Sequence, residues 1–159
     1  MIANMKKPKK YVLVLIFILF FLGGILYIKF SNKKETVDYT IPLPEEVVAQ
    51  YFTAWNNKNY PDMYATLSDG FKKIDPYAKD LATFKEFSSS QRIENIEIIN
   101  IKEISNDDLT AAVSYSVNFI LADGTERQFS DKFSLKLRQG DVIRGWKLIH
   151  PYGENIDTS

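Results

Sequence analysis

"LTAAVSYSVNFILADGTERQFSDKFSLKL", residues 109–137, decides the fold. The odd positions Leu109, Ala111, Val113, Tyr115, Val117, Phe119 and Leu121 are apolar, and most residues between them are small or polar. A period of two belongs to a strand with one buried face. Asp123-Gly124 interrupts the run as a hairpin turn does. Alternation then resumes with Phe129, Asp131, Phe133, Leu135 and Leu137. Asp131 shares the parity of the oily residues, so a carboxylate stands on a face meant for burial.

Both flanks extend the pattern. Gln139-Gly140 reads as the next turn, and Val142, Trp146, Leu148 and His150 then share one parity. Upstream, "NIEIINIKEI", residues 95–104, alternates but flips parity between Ile98 and Ile99, the signature of a bulge or sharp bend. Four antiparallel strands in a meander are expected.

Before them the period is helical. In "PEEVVAQYFTAWNN", from Pro44, the residues Val47, Val48, Tyr51, Phe52 and Trp55 make one apolar face. Pro44 suits the first turn, and Glu45 and Glu46 complement the helix dipole there. "YPDMYATLSDG" gives a second short helix from Tyr60, with Asp69-Gly70 as its stop. A third is expected from Asp75 to about Ser88, with Asp75 as N-cap and Pro76 first. Three helices followed by a bent four-stranded antiparallel sheet define an α+β domain.

The N-terminal third is different. Residues 11–28, "YVLVLIFILFFLGGILYI", carry no charge over eighteen positions. As a helix they span ~27 Å, close to the hydrocarbon thickness of a bilayer. A cleaved signal peptide would leave through small residues, whereas this run leaves through Ile28, Lys29 and Phe30. An uncleaved transmembrane anchor is expected. Lys6, Lys7, Lys9 and Lys10 precede it, and Lys29, Lys33 and Lys34 follow. That bias puts residues 1–10 in the cytoplasm and the C-terminal domain outside the plasma membrane. Residues 29–43 read as a stalk, 44–152 as the domain and 153–159 as a tail.

The net charge of zero conceals a division. Residues 1–34 hold seven lysines and no acid, so residues 35–159 hold 13 Lys and Arg against 20 Asp and Glu, a net charge of −7. Such a domain is poorly suited to nucleic acid or to an anionic bilayer surface. One histidine and no cysteine exclude most zinc sites. "NDD" at 106–108 reads as a turn, without the alternating spacing of a calcium loop. No phosphate-binding glycine loop is visible, and neither a metal nor a cofactor is expected.

Helix, short helix, helix and a bent meander ending in "GWKLI" resemble the nuclear transport factor 2-like (cystatin-like cone) superfamily. The likeness covers about residues 42–152, and "PEEVVAQYFTAWNNKNYPDMYATLSD" is similar to the usual opening of that fold. The order anchor, stalk, cone resembles the small membrane-proximal non-catalytic domain of Gram-positive penicillin-binding proteins. It also resembles anchored subunits of conjugation and secretion assemblies. The resemblance implies a cone whose mouth takes a protein partner or a small ligand. In the enzymes of the superfamily, isomerases and dehydratases, it implies an Asp, His or Tyr inside the cone.

A tight Gln139-Gly140 turn would set Phe133 opposite Trp146, Asp131 opposite Leu148 and Phe129 opposite His150. Asp131 and His150 then become diagonal neighbours. An odd-length loop around Gly124 would set Val117 opposite Asp131 and Tyr115 one diagonal away. Tyr115, Asp131, Trp146 and His150 are therefore the expected mouth residues. The reading carried forward is a non-catalytic, membrane-anchored binding or scaffold domain of the bacterial envelope, with Asp131 where the apolar face meets water. The alternative is an enzyme with Asp131 as base, His150 as helper and Tyr115 as donor.

Overall fold

A computed structural model describes residues 41–138 and 145–152. The expected anchor at 11–28, the stalk up to residue 40 and the tail from 153 lie outside the described residues. Among the described residues no helix is long and apolar enough to cross a membrane.

Four helices, one more than expected, precede four strands. The first, α1 (Pro44–Asn56), starts where the Leu43 N–H donates to the Glu46 carboxylate at 2.8 Å. Val47, Val48 and Phe52 are buried on its inner face. It ends as Lys58 takes a left-handed backbone with φ 56°. Helix α2 (Tyr60–Ala65) is capped by Asn59 and buries Tyr60 and Met63.

The Asp69-Gly70 pair expected to stop a helix begins one. Helix α3 (Asp69–Ile74) is capped by Ser68, whose hydroxyl accepts the Phe71 N–H at 2.9 Å. The expected helix from Asp75 starts later, as α4 (Leu81–Ser90). Both aspartates accept backbone N–H groups, but in different motifs. Asp75 takes the Tyr77 N–H in a turn at 2.7 Å, and Asp80 takes the Thr83 N–H at 2.8 Å as the helix cap. Starting at Leu81 turns Phe84 and Ser88 inward, while Tyr77 stays exposed and stacks on Phe87 at 4.3 Å.

The strands β1 (Ile93–Asn106), β2 (Thr110–Leu121), β3 (Glu126–Arg138) and β4 (Gly145–Ile149) form one antiparallel sheet in sequential order. Strand β1 changes register at three places, one of them between Ile98 and Asn100 where the parity flips. Hairpin β2–β3 turns through residues 122–124, with Gly124 at φ 81° supplying the left-handed position of a three-residue loop. The loop is centred one residue earlier than expected. Asp131 therefore faces Tyr115, and Val117 faces Phe129.

The β3–β4 pairing also corrects the expectation. Leu135 pairs with Leu148 and Leu137 with Trp146, a shift of four residues. The ladder closes at Arg138 and Gly145, so the connection is residues 139–144 rather than a two-residue turn. The shift keeps parity, so the same residues point inward, and it places fully buried leucines opposite each other. Beyond β4, residues 66–68 run parallel to it. Leu148 donates to the Thr66 carbonyl at 2.9 Å, and its own carbonyl accepts the Ser68 N–H at 2.9 Å. Phe52, Met63, Val113, Val117, Leu135 and Leu148 form the centre of the core between sheet and helices.

Candidate functional site

Burial along β3 locates the site. Leu135 is fully buried, Phe133 is partly covered, and Asp131 and Phe129 are exposed. Helix α1 lies over the sheet so that Phe52 meets Tyr115 at 4.9 Å, Tyr51 meets Phe133 at 5.5 Å and Trp55 meets Phe119 at 5.5 Å. The first half of β3 is left bare. Asp131 thus sits where the apolar face reaches solvent, and one carboxylate oxygen accepts the neighbouring Lys132 N–H at 2.8 Å.

Beside it, aromatic rings make a floor. Tyr115 stacks on Phe133 with centroids 4.8 Å apart and lies 6.2 Å from Phe129. Burial first, and then the Asp131 carboxylate, push the Tyr115 hydroxyl up to about 12. The Tyr51 hydroxyl is driven up further, by its burial, then by Tyr115, then by Asp75. Both phenols are thereby favoured in the neutral form.

His150 follows the end of β4. Its Nε2 stands 4.0 Å from the Asp75 carboxylate, and its Nδ1 accepts the Tyr152 N–H at 3.2 Å. Phe71 of α3 packs edge-on against the ring at 5.0 Å.

Of the four expected mouth residues, Tyr115 and Asp131 are direct ladder neighbours. His150 is not beside them: its partner is Asp75 instead of Asp131. Trp146 does not belong: it is buried opposite Leu137, six positions or ~20 Å along β3 from Asp131. Tyr51 and Asp75 are the additions. Tyr51 hid within the apolar face of α1 and Asp75 within a capping role, and neither spacing marks a ligand site. No cluster of three or more metal-ligating side chains occurs among the described residues.

Fold and site together define an α+β domain in which helices cover one end of an antiparallel meander and leave Phe129 and Asp131 exposed at the other, above the buried Tyr115. Residues 45–137, more than half of the chain, match the family described as a domain of unknown function, DUF4829, and the chain belongs to that family. No curated protein matches it. Among solved structures it is similar to a SEC-C motif containing protein from Psychrobacter arcticus, with 11% identity and a TM-score of 0.51. That match covers 77% of this chain and 64% of the other, so the chain spans about two thirds of its length. It is also similar to RPA3114, a SEC-C motif containing protein from Rhodopseudomonas palustris, with 12% identity and a TM-score of 0.50 over 67% of this chain and 75% of that one. At these identities the likeness concerns the fold alone.

Proposed function

We propose that the domain is a nuclear transport factor 2-like cup acting as a non-catalytic recognition or scaffold module of the bacterial envelope. In this reading the 11–28 segment anchors it, and the cup faces outward. The observation that carries the non-catalytic part is Asp131, exposed to water at the rim. A general base works in a site that closes around its substrate, whereas Asp131 stands open to water. Phe129, 47% exposed beside it, offers the apolar contact that recognition uses.

The test uses the full chain in a Gram-positive cell. Membrane fractionation with protease added to intact cells should find the chain in the membrane and its domain digested from outside. A cytosolic chain protected from protease would overturn the anchored reading. A photocrosslinking residue in place of Phe129 should give a discrete adduct that the same residue in place of Lys85 does not. Identical patterns from both would overturn recognition at the cup.

One observation favours a second reading, an isomerase- or dehydratase-like enzyme. Tyr115 lies opposite Asp131 in the ladder with its phenol raised above its ordinary range, and neutral phenols can donate to a developing oxyanion. Turnover of an activated ketone by the wild type, lost in both Tyr115→Phe and Asp131→Asn, would establish it in place of the first.

A further inference from the structure

The opposite face of the sheet carries a feature independent of the cup. Leu135 and Leu148 point into the core, so Arg138 and Lys147, one residue out of phase, share the other face. Residues 66–68, pinned to β4, lead directly into α3 and bring Asp69 and Lys72 beside them. Ser68, Asp69, Lys72, Arg138 and Lys147 line a pocket of about 230 Å³.

Its charges do not balance. Among the described residues, three cations surround one carboxylate. Lys72 Nζ is 3.8 Å from one Asp69 oxygen and Arg138 Nη2 is 3.6 Å from the other. Both are longer than a charge-assisted hydrogen bond. Lys147 Nζ is anchored by the Ala65 carbonyl at 2.6 Å, one acceptor for three donors. Lys72 Nζ rests 4.6 Å over the Tyr64 ring. Burial holds both lysines below their ordinary range. Asp69 opposes this at Lys72 and Arg138 adds to it, whereas Lys72 and Arg138 both press on Lys147. The cations crowd one another in a part of the chain whose net charge is −7.

We propose that this pocket binds a phosphate dianion, either free or as a terminal phosphate ester. The excess of two positive charges among the described lining residues matches the ~1.5–2 negative charges of a phosphate group at neutral pH, which a single carboxylate would only half neutralise. A guanidinium fork and two ammonium groups suit several oxygens on one centre. The volume is below that of pockets for drug-sized ligands, so it suits one phosphate and its nearest atoms.

Isothermal titration of the full chain in detergent micelles, at low salt and neutral pH, tests this with inorganic phosphate and separately with glycerol 3-phosphate. Saturable one-to-one binding is expected, weakened about tenfold in Lys147→Gln and in Arg138→Gln. Asp69→Asn should tighten it, because the competing carboxylate is gone. Circular dichroism of each variant checks folding. Stronger binding of glycerol 3-phosphate assigns an esterified source, and equal or weaker binding assigns free phosphate. Absence of saturable binding, affinity unchanged in both folded cation variants, or weaker binding by folded Asp69→Asn would overturn the proposal.

Discussion

Asp131 shows how parity assigns a residue to a face without telling whether that face is covered. The alternation correctly placed it on the inner face, but alternation cannot say where helices stop covering that face. Exposed at the rim, where its carboxylate accepts the adjacent Lys132 N–H, it should tolerate neutralisation. Asp131→Asn is predicted to change unfolding free energy in urea by less than ~0.5 kcal/mol; a loss of several kcal/mol would mean a buried, paired charge instead. Tyr115 is the opposite case. Its raised value favours the neutral phenol in the fold, so the associated stability is complete below pH 10 and is lost as pH climbs through about 12. Among the nine tyrosines, alkaline absorbance titration should show a late phase that loses one phenol in Tyr115→Phe.

Strands and helices differed in legibility. The alternation of β2 and the bend in β1 could be read from residue order, because each strand residue's face follows from its number alone. Helix starts could not, since Asp75 and Asp80 are both sound caps and only the packing of Phe84 chooses between them. Strand pairing failed for a similar reason: glycine marks a turn without fixing the loop's length, and the 139–144 connection moved β4 by four residues. The joint between α1 and β1 also lay beyond sequence. Asn56 Oδ1 accepts the Ile96 N–H at 2.7 Å, next to a register shift that interrupts the ladder. Asn56→Ala leaves that donor unsatisfied and is predicted to cost about 1–2 kcal/mol in denaturant unfolding. Asn56→Asp, which retains an acceptor, should recover most of it.

At the scale of the molecule, the sheet's two edges are treated differently. Strand β1 forms one edge, with bulges along it and Ile98, Ile99 and Ile104 exposed. The edge at β4 is covered by residues 66–68, with Leu148 bonded to that segment and paired with Leu135. Leu148→Ala should therefore cost about 3–5 kcal/mol, larger than any rim substitution, and lower the unfolding midpoint without changing its cooperativity. The class of fold was legible from the order of periodicities, whereas this clamp was not, because it joins positions about eighty residues apart through backbone groups common to every residue. Its consequence concerns time. As a nascent chain leaves the ribosome, helices α2 and α3 emerge long before the short strand that receives them, and the stretch between them keeps two backbone groups unmatched until Leu148 arrives. The domain's early portion must therefore wait, incompletely closed, for nearly the whole of its synthesis, which makes the interval before residue 148 its period of greatest exposure to proteases and misassociation.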